Sequence, residues 1–253
     1  MNKGNAGFFH FPLCLLAFRT DYKDRLQHIV SYCLCEHAQR LNRTSPNLSG
    51  NNALSEAARF LNVNIGSHEA TTQKWKSATN FILQWEKRYG RDASIRIATA
   101  LLWEAHDNTG VTYREFSILC AINSVIGKRR NSPRRITEPS IRVRAAGFKS
   151  WTVANRTLRS EESRKARLLT PCQVRYTLEK LHERKFFARA RVGAKTVKYM
   201  IGVTDADLRA LLLHTETYHS RFKAERAQKD RELMMAIRSA NKTVLPLHRP
   251  NEK

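Results

Sequence analysis

Apolar residues recur with the period of an α-helix along most of this chain. In the first half, such stripes run from Asp21 to Leu41, Leu54 to Leu61, Ser67 to Gly90 and Asp92 to Gly110. Asp21, Ser67 and Asp92 stand where N-caps would be. The stretch 42–52, rich in Asn, Ser, Pro and Gly, predicts a loop. The pattern therefore predicts an all-helical N-terminal part.

The segment before these stripes, Phe8 to Phe18, is apolar but not periodic. It has the length of the core of a secretion signal, yet Pro12 interrupts it and no small-residue cleavage site follows. It is also too short to span a bilayer. It therefore predicts a buried extended segment.

In the second half, Thr112 to Gly127 predicts a capped amphipathic helix. The stretch 135–137 can form a short strand, and a short helix should follow, with Pro139 in its first turn. Ser150 to Arg167 carries much charge and little periodicity, so it predicts a basic insertion or mobile loop.

Thr170 and Pro171 predict the start of another helix. The threonine hydroxyl can accept a hydrogen bond from a free N–H group of the first turn, and proline has no N–H group that would need a partner there. Val174, Leu178 and Leu181 form its one apolar stripe. The rest of this helix should face outward and is basic.

Two alternating segments, 185–192 and 195–203, flank Gly193 and Ala194 and predict a β-hairpin. Basic side chains should project from its arms. A long helix is predicted from Asp205 to residue 241, with a frayed tail over 242–253. That helix either covers the preceding core or forms an antiparallel homodimer, and both alternatives stay open.

Charge narrows the choice of partners. The 253 residues include 45 Lys and Arg against 22 Asp and Glu, a net charge of +23. Between Lys128 and Tyr199 there are 21 Lys and Arg, five Glu and no Asp, so a surplus of 16 lies in under a third of the chain. Such a surplus predicts a polyanionic partner for this region.

Five cysteines, an odd number without framework spacing, predict buried thiols in a reducing cytoplasm and no disulfides. His28, Cys33, Cys35 and His37 lie close in sequence but lack a paired C-x-x-C, so no metal or cofactor is predicted. Phosphate-binding loops, nucleophile elbows and acid clusters are missing from the sequence. We therefore do not predict an enzyme.

From Thr112 to Val203 the predicted order is helix, short strand, helix, insertion, helix, hairpin. This order resembles the winged-helix variety of helix-turn-helix domain. The resemblance implies a mostly α protein: a helical N-terminal domain (1–110), followed by a winged helix-turn-helix domain (111–204) with a small β-hairpin wing and the basic insertion at about 150–167.

The resemblance also implies the contacts. The helix from Pro171 would enter a major groove of double-stranded DNA, and the wing would lie on the backbone or in a neighbouring minor groove. The implied recognition-helix residues are Thr170, Gln173, Arg175, Tyr176 and Lys180. The implied contacts of the wing and basic turn are Arg134, Arg135, Arg189, Arg191, Lys195 and Lys198.

The expected function is therefore sequence-directed DNA binding, in transcriptional regulation or in replication initiation of a plasmid or phage. The alternative is a basic adaptor or structural protein that binds RNA or another polypeptide through the same face. Neither a membrane nor a cofactor is expected to take part.

Overall fold

The computed structural model describes residues 8–18, 21–44, 50–61, 65–126, 132–192 and 196–242. This part of the chain is mostly helical, as predicted, with ten α-helices and two small antiparallel sheets. The helices are α1 (Tyr22–Thr44), α2 (Gly50–Leu61), α3 (His68–Tyr89), α4 (Thr99–Asp107), α5 (Tyr113–Ile126), α6 (Glu138–Ala145), α7 (Trp151–Thr157), α8 (Glu161–Arg167), α9 (Pro171–Glu183) and α10 (Asp205–Lys242). The strands are β1 (Phe8–Pro12), β2 (Ser94–Ala98), β3 (Arg134–Arg135), β4 (Ala188–Val192) and β5 (Thr196–Met200).

The apolar segment at the start is buried. Strand β1 pairs with β2 in antiparallel register, with Phe9 and Phe11 turned into the core. Leu13–Ala17 then forms one buried turn of 3-10 helix. The prediction of a buried extended segment is confirmed for the strand, whereas the remainder is helical.

The prediction of one helix from Asp92 to Gly110 is wrong. Ser94–Ala98 is a strand, and α4 begins only at Thr99. Ile95 and Ile97 alternate with polar residues and are buried, which is the two-residue period of a strand. The partner strand lies more than 80 residues earlier in the chain, so the local sequence did not reveal it. Asp92 does not cap a helix and instead accepts a hydrogen bond from the Cys14 N–H.

The first helix begins where the sequence predicts. The Asp21 carboxylate accepts hydrogen bonds from the Lys23 and Asp24 N–H groups at 2.8 and 3.0 Å. However, α1 continues to Thr44 and α2 begins at Gly50. The loop predicted for 42–52 is therefore too long at both ends, and residues 45–49 lie outside the described part.

The mobile loop, one of the two alternatives predicted for 150–167, is also wrong, whereas the basic insertion stays a prediction. This stretch forms α7 and α8, each capped by a serine: Ser150 accepts from the Val153 N–H at 3.3 Å, and Ser160 from the Ser163 N–H at 3.0 Å. Val153, Ala154 and Leu158 are buried. Helices of seven residues are too short to show a periodic stripe, which explains the error.

Helices α5, α6 and α9 pack against one another beside a three-stranded sheet of order β3-β5-β4. The helix with Pro139 and the paired arms of the hairpin are thus confirmed, whereas the short strand lies at Arg134–Arg135 rather than at 135–137. The hairpin tip, residues 193–195 including Lys195, lies outside the described part, as do residues 127–131 of the basic turn.

One buried cluster extends from Phe9 to Tyr199. It crosses residue 110: the ring of Phe11 stacks on Phe116 with centroids 6.5 Å apart. Residues 1–204 form one compact unit and 205–253 a second. The predicted division at residue 110 and the predicted homodimer stay predictions.

Helix α10 bears exposed apolar side chains near its end, Leu233, Met234 and Met235. Across the described residues, no helix has the length and apolarity needed to cross a membrane.

Candidate nucleic-acid interface

Helix α9 starts with a reciprocal cap. The Thr170 hydroxyl accepts from the Gln173 N–H at 3.2 Å, and the Gln173 side-chain carbonyl accepts from the Thr170 N–H at 2.9 Å. Pro171 occupies the first turn, as predicted. The cap fixes the helix start and leaves the Gln173 amide NH2 group as a donor for a ligand.

Helix α9 buries one face and exposes the other. Val174, Leu178 and Leu181 are buried in the core. The outward face carries Cys172, Tyr176, Glu179 and Glu183, all exposed. Tyr176, one of the predicted contact residues, has 68% of its surface exposed.

Arg175 lies on the flank of α9 and bonds across to α6. Its Nε donates to Glu138 Oε2 at 2.9 Å, while 67% of its side chain stays exposed. The hydrogen bond and charge of Glu138 raise the pKa of Arg175. The pair orients the guanidinium, whose two NH2 groups remain available to a ligand.

Lys180 and Arg184 share a buried carboxylate. Glu115 is 3% exposed and lies 3.0 Å from the Lys180 ammonium and 3.4 Å from the Arg184 guanidinium. Its other oxygen accepts from the Thr112 N–H at 2.7 Å and from the Thr112 hydroxyl at 3.0 Å. Burial by itself raises the pKa of Glu115, but the hydrogen bonds from Thr112 and Lys180 outweigh it, and the pKa lies below its ordinary value. Lys180 therefore has an internal partner.

The basic residues of the sheet lie in two rows on opposite faces. Arg134 and Arg189 both stand opposite Tyr199, which faces the core side. Arg135 stands opposite Lys198 on the other face. Because residues directly opposite in a sheet share a face, these cations cannot all meet one ligand surface.

Arg191, two residues after Arg189, shares the face of Tyr199 and stands opposite Val197. Its side chain is exposed, whereas that of Arg189 is half-buried. Arg191 is therefore the more accessible cation on that face.

A cleft of about 520 Å³ lies beside α9. Tyr176 and Lys180 line one side, and Arg25 and Arg167 contribute from elements distant in sequence. Arg25 Nε donates to the Phe18 carbonyl at 3.1 Å, and an Arg167 NH2 group to the Ala17 carbonyl at 3.1 Å. The sequence did not reveal this cleft, because its walls meet only in the folded chain.

Chemistry of other kinds finds little support among the described residues. No group of three or more His, Cys, Asp or Glu side chains there could hold a metal ion. His37 stacks on Phe60 with centroids 5.0 Å apart. Cys14, Cys33, Cys35 and Cys120 are buried, and Cys172 alone of the five cysteines is exposed.

Comparison of the chain with protein-family models, with curated proteins and with solved structures finds no match.

Proposed function

We propose that this protein binds double-stranded DNA in a sequence-directed manner through the first two turns of α9. One observation carries the proposal: α9 is fixed at its start and flank, yet exposes Arg175 and Tyr176 in the most basic part of the chain. A rigid exposed helix of this kind fits a major groove.

The order of elements supports the proposal. Helices α5, α6 and α9, with a sheet of order β3-β5-β4, are similar to the arrangement of a winged-helix domain. In that likeness α9 is the recognition helix and β4–β5 the wing. The pair α7–α8 is then an addition between the second and third helices.

The charges along α9 restrict where DNA would lie. Arg175 and Tyr176 precede Glu179 and Glu183, which are exposed one and two turns later. Carboxylates repel phosphates, so the contact is confined to the beginning of the helix. Arg175 can donate two hydrogen bonds to a guanine edge, and the Gln173 amide can contact an adenine.

Lys180 has a different role in this proposal. Its ammonium bonds to the buried carboxylate of Glu115, so it positions α9 against α5. Exposed Arg191 is assigned to the DNA backbone.

The process served is either transcriptional regulation or replication initiation of a plasmid or phage, in the cytoplasm. Both processes require recognition of a specific duplex site. Buried reduced cysteines suit that compartment.

Selection from a random duplex pool tests the proposal, with affinities measured at two salt concentrations beside a structured RNA competitor. We expect an enriched motif and a steep decrease of affinity with salt. Binding without enrichment, or preference for the RNA, would contradict it and favour the adaptor alternative.

Cys172 offers a test of the docking surface. It is the exposed thiol on the outward face of α9, so a maleimide should label it first. The selected duplex should slow this labelling strongly, and a scrambled duplex of the same length should slow it less. Equal labelling with and without saturating specific DNA would exclude α9 from the interface.

A further inference from the structure

A second basic surface lies where the end of α3 meets the turn between α7 and α8. Two shallow pockets there, of about 440 and 330 Å³, share Arg88, Tyr89, Arg156 and Arg159. We call Arg88, Arg156 and Arg159 the arginine cluster. Arg156 and Arg159 fall in the stretch 150–167, which the sequence predicted as a basic insertion or mobile loop.

The described residues give the arginine cluster no ion pair. No acidic side chain of the described residues lines either pocket. All three arginines are exposed. Arg88 contacts the ring of Tyr89, 5.8 Å from its centroid, and the described part offers Arg156 and Arg159 no hydrogen bond or ion pair.

The cations near α9 provide a contrast. Arg175 is paired with Glu138, and Lys180 and Arg184 share Glu115. Two acids lie two residues from the arginine cluster along the chain: Glu86, which accepts from the Asp92 N–H at 3.3 Å, and Glu161, which is paired with Lys165 at 2.9 Å. Like charges held together without carboxylates attract an external anion.

The surface is also preformed. The Lys149 ammonium binds the carbonyls of Gly90 and Arg91 at 3.2 and 3.1 Å, and also that of Tyr89. The hydroxyls of Thr157 and Tyr89 are 3.0 Å apart. These bonds tie the end of α3 to α7, so a ligand would not have to order the surface.

Hydroxyl groups add to the donors. Ser160 and Ser163 line one of the pockets, with their oxygens 2.7 Å apart. Guanidinium and hydroxyl groups on an open, shallow surface suit successive phosphodiesters better than one small enclosed anion.

We propose that the arginine cluster is a second contact of this protein with nucleic acid, bound to backbone phosphates of duplex DNA without regard to sequence. This inference rests on the proposed DNA binding. In this proposal the arginine cluster contributes to the affinity for duplex DNA and to its salt dependence, whereas α9 determines the sequence specificity.

The test compares three full-length proteins on a selected and a scrambled duplex over a range of salt concentrations. They are the wild type; a triple variant with Arg88→Gln, Arg156→Gln and Arg159→Gln; and a control with Lys23→Gln, Arg59→Gln and Lys76→Gln. The control removes the same charge from exposed positions elsewhere. Thermal unfolding checks that all three are folded.

We expect the cluster variant to lose affinity for both duplexes equally. The slope of log K against log salt should become shallower by about two to three units, since each lost phosphate contact contributes about 0.9. The control should keep nearly the wild-type slope. Equal slopes for cluster variant and control, with wild-type binding intact, would overturn this inference alone. A wild type that binds no duplex at any salt concentration would overturn the proposed function and this inference with it.

Discussion

At the scale of single residues, buried Glu115 joins the end of α9 to the start of α5. It caps α5 through Thr112 and holds Lys180 and Arg184. The cap was implicit in the sequence, because Thr112 and Glu115 stand three apart before an apolar run. The ion pairs could not be predicted from the sequence, because Lys180 and Arg184 lie some 65 to 70 residues after Glu115.

We expect Glu115→Gln to lower the free energy of unfolding by about 1 to 3 kcal/mol at neutral pH, because the cations lose a charged acceptor. The pKa of Glu115 is depressed below its ordinary 4.5 in the folded state. Its contribution is therefore complete above that value and decreases as pH falls through the folded pKa. Urea unfolding at several pH values should show the two proteins converging in acid.

The exposed pair Glu161–Lys165 is the control for that experiment, with both side chains about three-quarters exposed. Glu161→Gln should change stability by less than about 1 kcal/mol. If Glu115→Gln lowered the free energy of unfolding as little as Glu161→Gln does, or by an amount independent of pH, the role given to the Glu115 carboxylate would be contradicted.

Gly147 gives a second prediction. Its φ is +88°, and a Cβ there would lie 2.3 Å from the backbone nitrogen of Ala17. Gly147→Ala should therefore cost about 3 kcal/mol or more, combining left-handed strain with a backbone clash.

Gly202 is the matched glycine, with φ +81° and no atom within 4 Å of the added Cβ. Gly202→Ala should cost only the backbone strain, about 1 to 2 kcal/mol. Denaturant midpoints of the two variants measure the difference. Similar losses would mean that the close approach of Ala17 does not matter.

At the scale of elements, prediction from sequence succeeded where the determinants were local. The starts of α1, α5 and α9 follow from capping residues directly before an apolar stripe. It failed for β2, whose partner is β1, and for α7 and α8, which have too few residues for periodicity.

Prediction of the candidate interface from sequence was divided in the same way. The exposed helix and the hairpin followed from pattern, but the distribution of the cations did not. Arg135 and Lys198 lie on one face of the sheet and Arg189 on the other, a consequence of register that sequence alone did not fix. The arginine cluster also requires α3 and α7 to meet.

Lys149 determines how α3 ends. Its ammonium binds three carbonyls at the C-terminus of that helix, where partial negative charge accumulates. Lys149→Met should lower stability by about 1 to 3 kcal/mol, because those acceptors lose a charged donor. Chemical denaturation measures this, and Lys149→Arg should recover part of the loss. No difference between Met and Arg would show that the charge is irrelevant.

Substitutions on α9 should change the specificity of DNA binding, whereas substitutions on the wing should change the affinity for every duplex. Arg175→Ala should lose about 1 to 3 kcal/mol on the selected duplex and little on a scrambled one. Arg191→Ala should weaken both about equally. Equal effects of the two substitutions on every duplex would remove the assignment of α9 as the reading element.

At the scale of the whole molecule, the basic region between residues 128 and 199 is only partly available to a partner. Several of its cations serve internal contacts: Arg142 donates to the Leu169 carbonyl at 2.7 Å, and Arg144 to Ser124 at 3.0 Å. Net charge in sequence therefore overstates the charge that is available to a partner.

The continuous core predicts how residues 1–204 unfold. Cys33 and Cys120 are both buried in it, on either side of residue 110. Pulsed thiol labelling with mass-spectrometric readout should give the same urea midpoint for both, because one core melts cooperatively. Separate midpoints would instead favour two folding units divided near residue 110.

The reciprocal cap at the start of α9 has a consequence for the DNA preference that we propose for this helix. A substitution at Gln173 removes the hydrogen bond that its side chain accepts from the Thr170 N–H, which should lower stability by about 1 kcal/mol. The side chains of Cys172, Tyr176 and Glu179 take no part in this cap. New preferences should therefore arise first at those three positions and later at Gln173, where each change also loses the bond to the Thr170 N–H.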